Sequence, residues 1–485
     1  MSQDDTPLAD AVSAYLADPG VVPFTTPGHK RSPELADDLL RLDLPLSAGA
    51  DDLHLSRDVL GQAERLAAEL WGADRCWFCV NGSTQGNQAL ALAVGRGPVI
   101  VSRNLHKSLF AGLVLAGADP VWVRPRVDAT TGLALDVPVA DVEAALAREP
   151  MARAVFLVEP NFVGIMSDVA SVARAAHGAG APLIVDQAWG AHLGFHPALP
   201  PHTLSLGADA MVTSAHKTLT GFTQSAYLFA REGRLDLRRV ADGFDALNTT
   251  SVAAAILASL DRTRALLAAR GEVFLERAIR LVAQAHSALR TVEGLTVLEA
   301  SDPLKLVLAL PGTGADGLQV ERDLWSQGVR LELANRDTLI PLVTIADTDA
   351  SIQRLIAQVS AAIERRRGDP RPAGGASAIW RIEPEVALKP REAFFAPRET
   401  VAVASTPGRI AAETVAPYPP GIPAIAPGEI VTRELVDALR EAARDGTRLA
   451  YCADPSLQTL QVVAGPGSTT RLSEPGTARR LSPPR

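Results

Sequence analysis

From residue 61 onward, apolar side chains arrive in two alternating rhythms. Helical spacing marks 62–71 and 87–94, the second following the turn Asn81-Gly82-Ser83-Thr84-Gln85-Gly86. Around and after them come short runs that are apolar at nearly every position: 75–80, 98–101, 120–123, 154–158, 182–185 and 209–213. A strand apolar on both faces needs cover on both faces. Such strands separated by helices predict a mostly parallel sheet between helical layers, an α/β large domain spanning 61–259.

The rhythm changes after that. A long helical region begins at 252–269 and leads into a smaller α/β domain, 260–367, with strands expected at 304–310 and 329–333 and a closing helix at 352–365. Residues 368–377, rich in Arg, Gly and Pro, read as a linker. A C-terminal α+β unit is expected over 378–464. The stretch 465–485, rich in Ser, Thr, Pro and Arg without period, is expected to be disordered. Residues 1–60 form a separate N-terminal segment with a turn-rich passage, Phe24-Thr25-Thr26-Pro27-Gly28-His29-Lys30.

Composition narrows the classes. At 485 residues and 47% hydrophobic, the chain is long enough for about three structural units. Its net charge of −8 is spread through interleaved acids and bases, and no basic stripe appears, which argues against a nucleic-acid partner. The apolar runs are broken by Gly, Pro or charges, so no membrane span is expected. The acidic start Met1-Ser2-Gln3-Asp4-Asp5 lacks the apolar core of a signal peptide, and three cysteines suit a reducing cytoplasm. Cys76 and Cys79 have C-x-x-C spacing. On a strand, however, positions i and i+3 face opposite ways, so both read as packing residues, and no metal site is expected.

Chemistry is expected where strands end, because open α/β sheets bind ligands beyond their carboxyl edges. Ser214-Ala215-His216-Lys217 follows the run ending at Thr213, and Asp186 closes the run Leu183-Ile184-Val185. A lysine and an aspartate in those places suit pyridoxal phosphate (PLP): an amine to condense with its aldehyde, a carboxylate to pair with its protonated ring nitrogen. Gly82-Ser83-Thr84 opens a helix, where glycine, hydroxyls and free N–H groups favour an anion, although such a turn also serves as an ordinary cap. Ser214 and His216 offer further phosphate contacts. His106 fits a ring stacked on a cofactor, with Ser108 as a cofactor contact, or a hydrogen-bonded structural residue. His192 is a second candidate or a polar loop residue. Lys217 by itself also reads as a solvated lysine, and Asp186 as a helix N-cap.

With those residues in view, the chain resembles the prokaryotic ornithine/lysine/arginine decarboxylases, fold-type I PLP enzymes with an aspartate aminotransferase-like large domain. Five passages carry the likeness: Thr26-Pro27-Gly28-His29-Lys30; Val185-Asp186-Gln187-Ala188-Trp189-Gly190-Ala191-His192; Ser214-Ala215-His216-Lys217-Thr218-Leu219; Asn248-Thr249-Thr250-Ser251 with Ala258-Ser259-Leu260-Asp261; and Tyr418-Pro419-Pro420-Gly421-Ile422-Pro423 with Pro427-Gly428-Glu429. The resemblance implies decarboxylation of arginine, lysine or ornithine in polyamine metabolism. Lys217 would be the Schiff-base lysine, Asp186 the pyridine partner and His106 the stacking ring, with Ser83, Thr84, Ser214 and His216 on the phosphate. Thr250 would reach the phosphate of a neighbouring subunit, implying a cytoplasmic homodimer with shared sites.

The chain looks like the compact type without an N-terminal wing domain. Where many relatives have Asp-Glu-Ala-His, this chain has Asp186-Gln187-Ala188-Trp189, which puts an indole beside the cofactor. Where many have Thr-Ser-Pro-Ser, it has Thr250-Ser251-Val252-Ala253. Glu429 is a candidate partner for the substrate's distal cation. A PLP-dependent aminotransferase and a non-catalytic, decarboxylase-like regulator are the rival readings.

Overall fold

Strand β1 (Arg75–Cys79) divides its side chains between two cores. Cys76 and Phe78 pack into one apolar cluster, Trp77 and Cys79 into another on the opposite side of the sheet. Burial is also why both thiols sit well above their ordinary pKa. The computed structural model describes residues 1–18, 27, 42–46, 51, 58–128, 131, 133–373, 379–380, 382–418 and 421–465. Most of the Thr26–Lys30 passage, Pro419, Pro420 and nearly all of the C-terminal stretch expected to be disordered lie outside the described residues.

Six further strands complete the sheet: β2 (Gly97–Ser102), β3 (Ala118–Val123), β4 (Val155–Val158), β5 (Leu183–Asp186), β6 (Ala210–Ser214) and β7 (Ala226–Ala230). Their order is β1-β7-β6-β5-β4-β2-β3. The pairs from β3 through β6 are parallel, and β7 alone runs against its neighbours. The connection from β6 to β7 is short and folds straight back, whereas the parallel pairs are joined by longer crossovers, those from β2 to β3 and from β4 to β5 carrying a helix each. Asp186 lies opposite both Val158 and Val212, so β4, β5 and β6 end together along one edge.

Helices α1 (Pro7–Ala17), α2 (Val59–Trp71), α3 (Gly82–Val94), α4 (Lys107–Ala116), α5 (Val139–Arg148), α6 (Val169–Gly178), the single turn α7 (Ala215–Thr218), α8 (Leu237–Ala246) and α9 (Ala254–Leu289) surround the sheet. Most of the turn expected at 81–86 is the first turn of α3, with Asn81 at the N-cap position but no side-chain cap bond. This helix lies very close to its neighbours. A Cβ on Gly86 would stand 2.8 Å from Val212 Cγ1, and one on Gly243 of α8 would stand 2.7 Å from the Ala89 carbonyl oxygen. Helix α9 runs unbroken through the boundary expected between residues 259 and 260 and joins the large and small units. Near its start, buried Asp261 accepts hydrogen bonds from Leu8 N and Ala9 N at 3.0 and 3.1 Å, fastening α1 to it.

The small unit is a four-stranded antiparallel sheet, β10 (Leu333–Ala334), β11 (Thr338–Ile340), β9 (Leu308–Ala309) and β8 (Thr296–Val297), with α10 (Gly317–Ser326) packed against it and α11 (Asp349–Arg365) packed on α10 and α9. Both strands expected here are shorter than their apolar runs. Asp302 turns the chain by accepting from Leu304 N, and Lys305 N bonds back to Asp302 O, so the ladder starts late. At the other run, Val329 N bonds back to Leu324 O around the left-handed Gly328, which keeps it in the C-terminal cap of α10.

The C-terminal unit pairs β12 (Arg398–Ala402) with β15 (Thr459–Val463) and β13 (Ala416–Tyr418) with β14 (Arg448–Ala450), around a helix at Arg433–Arg444. It sits against the β2–β3 side of the large domain through Lys389–Asp119 at 2.7 Å and Arg391 to the Val114 carbonyl at 2.9 Å. No helix among the described residues is long and apolar enough to cross a membrane.

Candidate active site

The carboxyl ends of five strands open into one cleft of about 390 Å³, the size range of small-molecule sites. Strand β1 contributes Asn81, Gly82, Ser83 and Thr84, and β2 contributes Asn104 to His106. Strand β4 delivers Asn161 and Phe162, β5 Asp186, Ala188 and Trp189, and β6 Ser214, His216 and Lys217. Gly421 and Ile422 of the C-terminal unit close one wall.

Asp186 is 4% exposed and held from two sides. Asn87 Nδ2 donates to Oδ2 at 2.6 Å and Ala188 N donates to Oδ1 at 3.0 Å. The Ala188 bond is local to its own turn, but Asn87 comes from a different element, so Asp186 does more than cap. Asn87 also donates to Ser108 Oγ at 3.1 Å, and Ser108 bonds His106 Nδ1 through Oγ at 2.8 Å and N at 3.2 Å. One amide thereby orients both the carboxylate and the imidazole. Ser108, expected as a direct cofactor contact, lies buried beneath the cleft surface because its hydroxyl turns inward to α3.

At the other end of the cleft, Ser83 Oγ and Ser214 Oγ are 2.6 Å apart. They bring together the N-terminus of α3 and the end of β6. No side chain caps α3, and Gly82 takes a φ of +66° there. Uncapped N–H groups, paired hydroxyls and a bare glycine suit a dianionic group such as a phosphate. His216 Nδ1 donates to Ser225 O at 3.0 Å, which leaves Nε2 for another contact.

Lys217 stands in the single turn α7 with Nζ 4.0 Å from the centre of the Trp189 ring. It makes no hydrogen bond among the described residues. Desolvation lowers its pKa against the opposing pull of Asp186 and Glu332. His106 is open to the cleft, yet desolvation, with Lys217 and Lys107 acting in the same sense, outweighs Asp186 and lowers its pKa too.

Four candidates belong elsewhere. Glu429 is neither a surface carboxylate nor a cleft ligand: it is buried in a paired contact with Arg103, 2.5 Å from Nη1. His192 is fully buried, with Nε2 3.0 Å from Asp302 Oδ2, and so leaves the cleft. Gln187, one of the departures from the family pattern, points into the interior and bonds Gly190 O and Thr203 N at 2.7 and 2.8 Å. Thr250 is exposed and lines a separate hollow with Asn248 and Thr249.

Sequence reasoning passed over Asn87 and Lys305. Asn87 lies one helical turn after Ser83, so the two share the face of α3 that looks at the strand ends. That i, i+4 pair was the available signal once the helix was known to start at Gly82. Lys305 carries no such signal, since it is 88 positions from Lys217 in a different unit.

The arrangement has known counterparts. The sequence pattern described as Orn/Lys/Arg decarboxylase, major domain, matches residues 6–306, and that of the corresponding C-terminal domain matches 376–448. An arginine decarboxylase from Halalkalibacterium halodurans is 32% identical over 95% of this chain and 98% of its own length. Another from Bacillus subtilis is 31% identical over 96% and 99%. Among solved structures, lysine decarboxylase A from Pseudomonas aeruginosa superimposes with a TM-score of 0.81 at 21% identity, covering 94% of this chain and 80% of that one. A serine palmitoyltransferase from S. paucimobilis, solved with a PLP–myriocin adduct, reaches 0.51 at 16% identity over 63% of this chain and 76% of its own. The fold is thus that of the fold-type I PLP enzymes, and the chain belongs to the Orn/Lys/Arg decarboxylase family, whose members remove the carboxyl group of basic amino acids.

Proposed function

We propose that this protein is a PLP-dependent decarboxylase of a basic L-amino acid, with arginine, converted to agmatine, as the first candidate substrate. The observation that carries the reading is a single cleft holding an amine of lowered pKa, a doubly anchored carboxylate and an uncapped helix N-terminus with paired hydroxyls. This combination fits PLP group by group. Arginine is favoured over lysine and ornithine by the names of the relatives matched over nearly their whole length.

PLP, when bound, supplies an electron sink for the pair left on Cα as carbon dioxide departs. The chain's own residues do the rest. Lys217 Nζ, more often neutral than an ordinary lysine, would provide the amine that holds the cofactor aldehyde. Asp186, its Oδ2 fixed by Asn87, would hold the ring nitrogen in its protonated form. His106, its Nδ1 tied down by Ser108, presents the flat of its ring. Ser83, Thr84, Ser214 and His216 would hold the phosphate. Trp189 supplies an apolar wall beside Lys217, whose Nζ would be the group placed to return a proton to Cα. Thr250, exposed and outside this chain's own cleft, serves the phosphate of a second copy in a homodimer.

The test is purified protein, inspected for a cofactor absorption band and then assayed for carbon dioxide release from arginine, lysine and ornithine, with products weighed by mass spectrometry. Wild type should show the band and convert one substrate to its amine. Lys217→Ala should lose both. Ketoacid formation would favour an aminotransferase, and a band without turnover a regulator; either result refutes the reading.

A further inference from the structure

Lys305 has no assigned purpose, yet its setting is unusual. The residue is 5% exposed, and its ammonium has no hydrogen-bond or ion-pair partner among the described residues. Nζ lies 4.3 Å from the centre of the same Trp189 ring that Lys217 Nζ approaches to 4.0 Å. The two nitrogens are therefore no farther apart than those distances together allow, and Lys305 feels the charge of Lys217. A buried, unpaired ammonium is costly, and a fold retains one more readily where a ligand completes it.

The surroundings set this cation just behind the cleft wall. Lys305 leaves the turn before β9 and runs under the loop 161–164, where a Cβ on Gly164 would fall 2.3 Å from its Cγ, so only glycine admits the stem. Asn161 and Phe162 of that loop, like Trp189, line the cleft. Of the two carboxylates whose charges reach it, Asp302 is already engaged by His192 Nε2 and Leu304 N, and Glu332 is exposed and makes no ion pair with it. Burial pushes the Lys305 amine down to about 8, so near neutral pH it still carries a proton for most of the time.

An anion brought in beside Lys217 would complete this group. Resting on the reading of the cleft as a decarboxylase site, we propose that Lys305 Nζ is the anchor for the substrate's α-carboxylate, on the Trp189 side of the cleft. A lysine suits that task better than an arginine. Its single charged point holds the carboxylate without the two-pronged grip that would resist its departure as neutral carbon dioxide.

The experiment uses ligand pairs that differ only by the carboxylate and lack the α-amine, so none can be decarboxylated. These pairs are 5-guanidinopentanoate with butylguanidine, 6-aminohexanoate with pentylamine, and 5-aminopentanoate with butylamine, each titrated calorimetrically into the PLP-loaded protein. In wild type, the acid of the preferred pair should bind roughly tenfold or more tighter than its partner, the usual gain of a charged hydrogen bond. Lys305→Met should bring that ratio close to one by loosening the acid alone, and Lys305→Arg should keep most of it. Should the Met variant not fold, Lys305→Gln replaces it with the same expectation. An unchanged ratio, or equal loosening of both ligands, overturns the inference while leaving the decarboxylase reading intact. No cofactor band and no binding by any pair overturns both.

Discussion

Removing the Glu429 carboxylate should destabilise the protein far more than a surface change would. Arg103 and Glu429 are 4% and 3% exposed, with Nη1–Oε1 at 2.5 Å and Nη2–Oε2 at 2.9 Å. Arg103 Nε also donates to Pro423 O at 3.2 Å and its guanidinium sits over Trp122, while Glu429 Oε2 accepts from Ala426 N at 2.8 Å. Glu429→Ala leaves a buried guanidinium without its counter-charge and an amide without its acceptor. Breaking one side of such a pair costs about 3–5 kcal/mol. The double variant Arg103→Met/Glu429→Met removes the stranded charge and should cost less than the two single variants together.

The assay is guanidinium unfolding followed by fluorescence and circular dichroism, with hydrogen exchange across 421–431 to localise the loosening. Because Gly421 and Ile422 line the cleft just before the Pro423 carbonyl that Arg103 holds, the same variant should raise the KM for substrate. A midpoint change worth less than about 1 kcal/mol for Glu429→Ala, or strictly additive costs in the double variant, would refute the argument.

Asp186→Ala should lower kcat by roughly a hundredfold to a thousandfold, the usual loss of a fixed electrostatic partner, and single-turnover measurements check it. Gly243→Ala should cost about 1–3 kcal/mol, since its Cβ would meet the Ala89 carbonyl oxygen at 2.7 Å; thermal unfolding reads this directly. Burial raises the carboxyls of Glu64 and Glu159 to about 8, so the folded chain holds protons that the unfolded chain, near 4.5, releases. Both groups therefore make stability fall as pH rises from about 4.5 to 8 and level off above. Glu159→Gln should flatten that slope in a Tm–pH series, and an unaltered slope would count against it.

Local chemistry was enough to mark six of the seven large-domain strands and the helix opening at Gly82, and to put Lys217 and Asp186 at strand ends; β7 (Ala226–Ala230) went unread. Apolar runs of strand length define the sheet, and polar groups at their ends have nowhere to go but its carboxyl edge. The separation of Cys76 from Cys79 followed from the two-residue period of a strand. Other features needed the third dimension. Glu429 reads as an ordinary acidic residue until Arg103, 326 positions earlier, is found against it. Ser108 and Asn87 exchange a hydrogen bond only because α3 and α4 pack side by side, and His192 turns inward because Asp302 of the small unit waits there. Short-range periodicity encodes which face of an element is buried. It carries no information about which distant charge will meet a given side chain, because such pairings arise from the packing of whole elements and are decided only when the cleft closes around them.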